Sequence, residues 1–215
     1  MGKVVLDISM SLDGFVAGSN PTLEQPLGEG GERLHEWAVE LAAWRERHGL
    51  SDGTVNASSA LVEKSLATTG TVVMGRRMFS GGEGRWEDDP NADGWWGDDP
   101  PFRVPVFVLT HHARDPLLKE RGTTFTFVTD GIESALEQAK EAARGKDVWL
   151  GGGADVFQQY LAAGLVDKVQ LSVVPVLLGD GTRLFDNIAG ADVKLEPVRV
   201  VDAPGVTHLT FRVGR

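Results

Sequence analysis

Short apolar runs alternate with helical patterns through the first three quarters of the chain. The runs are rich in β-branched and aromatic residues, are bounded by Gly, Pro, Thr or Asp, and predict strands at 3–9, 71–75, 105–109, 124–128, 147–150 and 168–174. Apolar residues at helical spacing predict helices near 31–48, 58–68, 133–144 and 154–163. This order indicates βαβ units and a mainly parallel sheet with helices on both faces.

The pattern changes after residue 165. The segments "VDKVQLSVVPV", "VKLEPVRVV" and "VTHLTFRV" read as strands with no helix between them, and "DAPG" before the last is a tight-turn signal. We therefore expect the sheet to end in antiparallel strands. One α/β domain of this length is ordinary, so we expect a single domain over residues 1–215.

A long connection rich in Trp, Asp and Gly, residues 80–103, fits neither pattern. Its sequence "SGGEGRWEDDPNADGWWGDDPPFR" carries Trp86, Trp95, Trp96 and Phe102. Loops of this length are usually disordered or act as lids, and the aromatic residues favour an ordered loop. Whether the rings reach a ligand pocket or only fasten the loop to the core stays open.

Composition and charge remove several classes of function. The chain has no cysteine, which excludes disulfides, thiol nucleophiles and thiolate metal sites, so redox chemistry would need a bound cofactor. A formal charge of -10 without a dense basic stretch argues against nucleic acid and anionic membranes as partners. No apolar run approaches the roughly 18 residues of a membrane span, and "MGKVVLDISM" lacks a secretory signal. We expect a cytoplasmic protein with a small-molecule substrate.

Three glycines, residues 151–153, separate a predicted strand from a predicted helix in "DVWLGGGADVF". At the carboxyl edge of a parallel sheet, such a turn lets backbone N–H groups approach a diphosphate without a Cβ in the way. The G-x-G-x-x-G fingerprint is absent, so a Rossmann fold is not supported. The other interpretation is a tight turn that only brings the helix against the sheet.

Two more predicted strands end in hydrogen-bond donors, "TVVMG" at Arg76 and Arg77 and "VPVFVLT" at Thr110 and His111. Because the carboxyl ends of parallel strands share one edge, these donors would share a crevice with the glycines. The Arg fork suits a phosphate monoester, which favours a 2'-phosphorylated dinucleotide. The alternative for the arginines is a solvated helix start, although cations there oppose the helix dipole. The neighbouring His111 and His112 do not by themselves make a metal site, and we expect no metal.

Four motifs in this order and spacing resemble the dihydrofolate reductase-like superfamily: "MSLDGFVAG", "VVMGRRMF", "VFVLTHH" and "LGGGADVFQQYLAAGLVDKVQLSVVPVLLGDGTRLF". The similarity is greatest to the C-terminal reductase domain of the bifunctional riboflavin-biosynthesis deaminase-reductases. It covers nearly the whole chain outside residues 19–70 and 80–103. The resemblance implies a three-layer α/β, NADPH-binding fold with a mixed, mainly parallel sheet of eight or more strands.

The resemblance also implies which residues contact the cofactor. It implies contacts to the diphosphate from Gly151, Gly152, Gly153, Ala154 and Asp155, to the adenosine phosphates from Gly75, Arg76 and Arg77, to the 2'-phosphate from Thr110 and His111, and to the nicotinamide carboxamide from the backbone of Ser9, Val16 and Ala17. One departure is Met78, which stands where dihydrofolate reductases have a Thr that helps bind phosphate.

The substrate side is less well defined. The resemblance places Ser172 beside the substrate ring and Asp13 in the "SLDG" signature shared with the riboflavin reductases. Dihydrofolate reductases also use a helix carboxylate; in the helix predicted at 31–48, Glu40 flanks the apolar face. That face comprises Leu34, Trp37, Leu41 and Trp44. We therefore consider Asp13, Ser172 and Glu40 as candidate catalytic residues.

Together these features predict an NADPH-dependent reductase of a small heterocycle, either the ribosylamino-pyrimidine of the riboflavin pathway or a pterin. The alternative is a non-catalytic NADPH-binding protein of the same fold, favoured by the lack of a convincing helix carboxylate. A third hypothesis is a structural subunit without a ligand. An antiparallel edge strand or an exposed apolar helix face would support a homodimer.

Overall fold

A nine-stranded sheet forms the centre of the computed structural model, which describes residues 2–214. The strands are β1 Val4–Ser11, β2 Phe15–Ala17, β3 Thr69–Gly75, β4 Pro105–Leu109, β5 Leu117–Leu118, β6 Thr124–Val128, β7 Asp147–Gly152, β8 Lys168–Val174, β9 Thr182–Arg183, β10 Lys194–Ala203 and β11 Val206–Gly214. Their order in the main sheet is β10-β11-β8-β1-β7-β3-β4-β6-β5, and β2 pairs with β9 separately.

The central pairs of the sheet are parallel and its two ends are antiparallel. Neighbours from β8 through β1, β7, β3 and β4 to β6 run parallel. At one end of the sheet, β11 runs antiparallel to both β8 and β10. At the other end, β5 runs antiparallel to β6. The prediction of a mainly parallel sheet that ends in antiparallel strands is confirmed.

Helices cover both faces of the sheet. They are α1 Glu36–Val39, α2 Ala42–Arg47, α3 Ser59–Thr68, α4 Arg76–Ser80, α5 Gly131–Ala142 and α6 Ala154–Ala162. We call the face that carries Leu6 and Ile8 the back face; α5 and α6 pack there, with Tyr160 and Phe157 fully buried. The opposite, front face carries Asp7 and Ser9, and its core includes Phe79 of α4. No helix in residues 2–214 is long and apolar enough to cross a membrane.

The single helix predicted at 31–48 is wrong. The segment forms a 3-10 turn at Gly31–Leu34 and the two short helices α1 and α2. Leu41 between them is extended, and Thr54 of the following loop bonds the neighbouring backbone, donating its N–H to the Glu40 carbonyl (2.7 Å) and accepting the Ala42 N–H (2.9 Å). Leu34 and Leu41 are still fully buried. The apolar spacing therefore predicted correctly that Leu34 and Leu41 are buried. The helix is nevertheless interrupted, because the Ala42 N–H bonds to Thr54 instead of to a carbonyl of the preceding helical turn.

The loop at 80–103 is ordered against the front-face core. The Trp86 ring packs edge-on against Phe79 and Phe127, at centroid distances of 6.0 and 4.8 Å. Trp96 packs against Phe102, which is itself buried. These rings thus fasten the loop to the core.

Candidate functional site

The glycine turn lies where β7 ends and α6 begins. Gly152 has a φ of +124°, and an added Cβ would lie 3.1 Å from the Met78 sulfur, so this position favours glycine. The peptide bond from Gly152 to Gly153 is cis. Gly153 is exposed at φ -76°, and a Cβ there would meet no atom within 4 Å. Backbone conformation and packing therefore explain why residue 152 is a glycine. At Gly153, by contrast, the space that a side chain would occupy is empty.

The end of β3 meets this turn. A Cβ on Gly75 would lie 3.0 Å from Val156 of α6 and 3.8 Å from both the Gly152 carbonyl oxygen and the Gly153 nitrogen. The structure thus brings Gly75 beside the glycine turn, as the sequence predicted. In the first turn of α6, Ala154 is buried and Asp155 is exposed. The Asp155 carboxylate is favourable at the positive end of the helix dipole, but it cannot bind an anion. An anion at this turn would therefore be bound by backbone N–H groups.

Arg76 does not point its guanidinium at this edge. Its side chain is 7% exposed and forms an ion pair with Asp89 of the loop, whose side chain is 2% exposed. The Arg76 Nε donates to Ser80 Oγ at 2.9 Å, and the guanidinium lies 3.2 Å from the centre of the Trp86 ring. Burial raises the pKa of Asp89, but hydrogen bonds from Ser80 and Arg76 outweigh burial and keep that pKa below its ordinary value. Ser80 and Asp89 thus take the Arg76 Nε and Nη2, whereas its buried Nη1 has no hydrogen-bond partner among the described residues, and the expected phosphate contact stays a prediction.

The other expected phosphate donors are divided between the surface and the interior. Arg77 is 68% exposed and pairs with Glu83. His111 is also exposed. The Thr110 hydroxyl is buried and accepts the His112 N–H at 3.2 Å. Arg77 and His111 therefore keep side chains that solvent can reach, whereas the Thr110 hydroxyl supports the backbone that follows β4.

Two rows of polar side chains cross the front face on β1, β8 and β11. We call them the polar rows: row one is Asp7, Gln170 and Thr210, and row two is Ser9, Ser172 and His208. Both follow the backbone register, in which each residue pairs directly with the next in its row. Sheet faces covered by other elements are normally apolar, so a covered polar patch needs internal partners or a ligand.

Row two is a buried chain of hydroxyl groups and an imidazole. Ser172 Oγ lies 2.9 Å from His208 Nδ1, and His208 Nε2 lies 2.8 Å from Ser58 Oγ. The Trp37 indole donates to Ser9 Oγ at 3.1 Å and packs edge-on against the His208 ring. Burial lowers the pKa of His208, which keeps the ring neutral. The Ser172 hydroxyl, expected beside the substrate, is thus oriented by a neutral histidine.

Row one contains a carboxyl group. Asp7 is half-buried, and its Oδ2 accepts hydrogen bonds from Gln170 Nε2 at 2.7 Å and from Ser65 Oγ at 3.3 Å. Burial raises the pKa of Asp7, and these two hydrogen bonds and Lys168 offset it only in part. Row one therefore combines a carboxyl that binds its proton more tightly than usual with a neighbouring amide.

Asp13 and Glu40, two of the expected catalytic residues, have other surroundings. The Asp13 carboxylate accepts hydrogen bonds from Ser11 Oγ (2.6 Å) and from the N–H groups of Leu178 (3.2 Å) and Gly179 (2.8 Å). These bonds lower the pKa of Asp13 to about 2, so it is ionised at neutral pH and fixes the loop after β8. Glu40 is exposed, between α1 and α2. Neither group is suited to donate a proton from the polar rows.

The remaining expected residues lie at the carboxyl end of β1. Ser9 is in row two, and β2, with Val16 buried and Ala17 paired to Thr182, follows directly after the strand. The ladder between β1 and β7 ends at Leu6 and Leu150, three residues before Ser9 and Gly153. Parallel strands thus bring Ser9 and the glycine turn to the same end of the sheet.

Comparison with known sequences places the chain in a family. Residues 2–209 match the sequence model of the RibD C-terminal domain. The chain belongs to the RibD C-terminal domain family. YyaP of Bacillus subtilis (strain 168) is 26% identical over 196 residues, which cover 86% of this chain and 81% of YyaP. YwjB of the same organism is 29% identical over 63 residues, 29% of this chain and 36% of YwjB.

Solved structures share the fold at lower identity. RibD of Acinetobacter baumannii superposes with a TM-score of 0.60 at 16% identity, over all of this chain and 59% of that one. The riboflavin biosynthesis reductase Rib7 of Saccharomyces cerevisiae gives 0.53 at 15% identity, over all of this chain and 89% of that one. The resemblance inferred from the four motifs is confirmed.

In this member of the RibD C-terminal domain family, sequence reasoning missed Asp7 and His208. A signal was present, because "VVLDISMS", "KVQLSVV" and "VTHLTFRV" each alternate polar with apolar residues. One-sided alternation is unexpected in strands of a sheet that is covered on both faces. The polar positions of three such strands therefore indicate a site, once their pairing is known.

Proposed function

We propose that this chain is an NADPH-dependent reductase that transfers a hydride to a small heterocyclic substrate. The observation that carries the proposal is the unfilled space at Gly153, at the first turn of α6 and close to Gly75 and the polar rows. Rib7, which shares the fold, is a riboflavin biosynthesis reductase. Together, the family and this edge of the sheet favour redox chemistry on a bound nucleotide.

The residues present fit a dinucleotide. The backbone of residues 152–155 would hold the diphosphate, because the N–H groups of a first helical turn lack helical partners and carry partial positive charge. Gly75 lets the first turn of α6 approach the end of β3, and Arg77 and His111 would bind the 2'-phosphate that distinguishes NADPH. The backbone of Ser9, Val16 and Ala17 would hold the nicotinamide. The bound cofactor supplies the hydride; the chain binds, orients and excludes water.

The polar rows fit a heterocycle with several donors and acceptors. Row one presents a carboxyl, an amide and a hydroxyl on this face, and row two, whose imidazole nitrogens are bonded to Ser172 and Ser58, lies beside it. We keep the two substrate classes that the sequence suggested, the ribosylamino-pyrimidine of the riboflavin pathway and a pterin.

We also propose a cytoplasmic location and a homodimer. The homodimer is favoured by β10, which is the edge strand of the sheet and has Val198 and Val200 exposed.

Substitution of Gly153 tests the cofactor site. Gly153→Ala should weaken NADPH binding roughly tenfold or more, because the methyl group enters the space meant for the diphosphate, while the melting temperature stays near that of the wild type. Fluorescence titration with NADPH and NADH would measure this. Gly84→Ala is the matched control, since a Cβ there also meets no atom within 4 Å. Wild-type affinity in Gly153→Ala would mean that the glycines form only a structural turn.

The second candidate function is a non-catalytic NADPH-binding protein. It is favoured by the exposure of Glu40 and by the low pKa of Asp13, which leave the predicted acids unsuited to proton donation. Loss of NADPH absorbance in the presence of pterins, aminopyrimidines and quinones would separate the two. Tight NADPH binding without oxidation by any of them would favour the second function.

A further inference from the structure

A reductase of this kind needs a proton as well as a hydride. When the carbon of a C=N bond gains a hydride, the π electron pair moves to the nitrogen, which must take up a proton. A positioned acid with a pKa near the working pH supplies that proton best. The expected acids do not meet this requirement, because Asp13 is held as a carboxylate and Glu40 is exposed.

Asp7 has the position that such an acid requires. It lies on β1 one pleat before Ser9, about 7 Å along the strand on the same face. Its row-one neighbour Gln170 and Ser65 of α3 both donate to Oδ2. Among the residues that the structure describes, no hydrogen bond is made to Asp7 Oδ1, which can therefore carry a proton toward a ligand. The carboxyl is thus held at one oxygen and available at the other.

Gly151 of β7 lies level with Asp7 on the front face. The ladder between β1 and β7 ends at the pair of Leu6 and Leu150. Asp7 and Gly151 are the next residues of the two strands and are therefore level with each other. Because Gly151 has no side chain, nothing from β7 stands beside the carboxyl at this level of the front face. Trp149 lies one pleat earlier, and its indole donates to the Asp7 carbonyl at 3.3 Å. Val72 Cγ1 and Met78 Cε lie 3.1 and 3.7 Å from the position of an added Gly151 Cβ, so a ring beside Asp7 would pack against these two side chains.

We propose that Asp7 is the catalytic acid of this enzyme, hydrogen-bonding the nitrogen of the C=N bond that is reduced and donating its proton to it. The proposal rests on the reductase function proposed above. The C=N bond is reduced and NADPH is oxidised to NADP⁺. As the nitrogen forms its N–H bond, the O–H bond of Asp7 breaks and its electrons remain on the carboxylate. Hydrogen bonds from Gln170 and Ser65 stabilise that carboxylate, which regains a proton from water.

The charges around Asp7 set the expected pH dependence. Lys168 on β8 is a cation that acts on Asp7, and it interacts in turn with Lys64 of α3, Asp147 of β7 and Lys3. Lys168 favours the carboxylate, but burial has the larger effect and raises the pKa of Asp7. An acid must be protonated to act, so turnover should fall as pH rises through this raised pKa.

Asp7→Asn tests the assignment with little change of shape, since the amide oxygen can still accept from Gln170. We expect NADPH affinity to stay within about twofold and kcat/KM for a reducible pterin or ribosylamino-pyrimidine to fall roughly 100-fold or more. The wild-type decline at high pH should disappear in the variant. A readout independent of turnover is the binding of pterin itself, followed by its fluorescence, which should weaken roughly tenfold without the carboxyl.

Asp147→Asn is the matched control, because it removes a carboxylate of the same sheet that interacts with Lys168 but lies outside the polar rows. It should keep the wild-type pH profile and pterin affinity. The assignment is wrong if Asp7→Asn keeps both, or if the wild type binds NADPH but neither heterocycle. Failure of the wild type to bind NADPH would instead overturn the proposed function, so the two failures are distinguishable.

Discussion

At the residue scale, His208 links a buried network to the pH dependence of stability. Burial keeps its pKa below the ordinary 6.5, so the folded state resists a proton that the unfolded chain takes up. Stability is therefore full above about pH 6.5 and falls as pH drops below it. Burial lowers the pKa of His35 in the same way, so two residues share the effect.

His208→Gln should remove about half of this acid sensitivity. The amide can still bond one of the two hydroxyls, of Ser172 or Ser58, so we expect a loss of roughly 1 to 2 kcal/mol near pH 7 and a smaller further loss on acidification than in the wild type. Urea unfolding between about pH 7 and pH 5 measures both. Equal slopes for wild type and variant would show that His208 does not couple protonation to folding.

At the element scale, the loop at 80–103 depends on the ion pair between Asp89 and Arg76. Asp89→Asn should destabilise the protein by about 3 kcal/mol, because it leaves a buried guanidinium without its counter-charge. Asp88→Asn, at the exposed neighbour, should change stability by less than about 0.5 kcal/mol. Denaturation followed by tryptophan fluorescence reports the transition, since Trp86 stacks on Arg76. Similar stabilities for the two variants would contradict a structural role for the pair.

How far the elements could be predicted depends on how local their causes are. The strands and the glycine turn follow from neighbouring residues, and the observed β7 and α6 begin and end within about two residues of the prediction. The break at Leu41 comes from hydrogen bonds to Thr54, thirteen positions away, which apolar spacing does not encode. The ion pair of Arg76 with Asp89 was not predicted, because Asp89 comes from a loop without a pattern. Asp7 and His208 were missed because only the register of β1, β8 and β11 brings them into one site.

At the scale of the whole molecule, cofactor binding and folding must be linked. A ligand that binds only the folded chain raises its free energy of unfolding by about 2.7 kcal/mol at 100 times the dissociation constant. We expect NADPH to do so at a lower concentration than NADH, because Arg77 and His111 remain exposed for the 2'-phosphate. Thermal unfolding at rising concentrations of each nucleotide measures the two effects.

The controls for this linkage are Gly153→Ala, which should lose most of the stabilisation by NADPH, and Gly84→Ala, which should keep it. A purely structural subunit predicts no rise in melting temperature with either nucleotide, even at millimolar concentration. Stabilisation by NADH and NADPH at equal concentrations would show that the chain binds a dinucleotide without using the 2'-phosphate. In that case Arg77 and His111 would have no part in the choice of cofactor, while the glycine turn would keep its role.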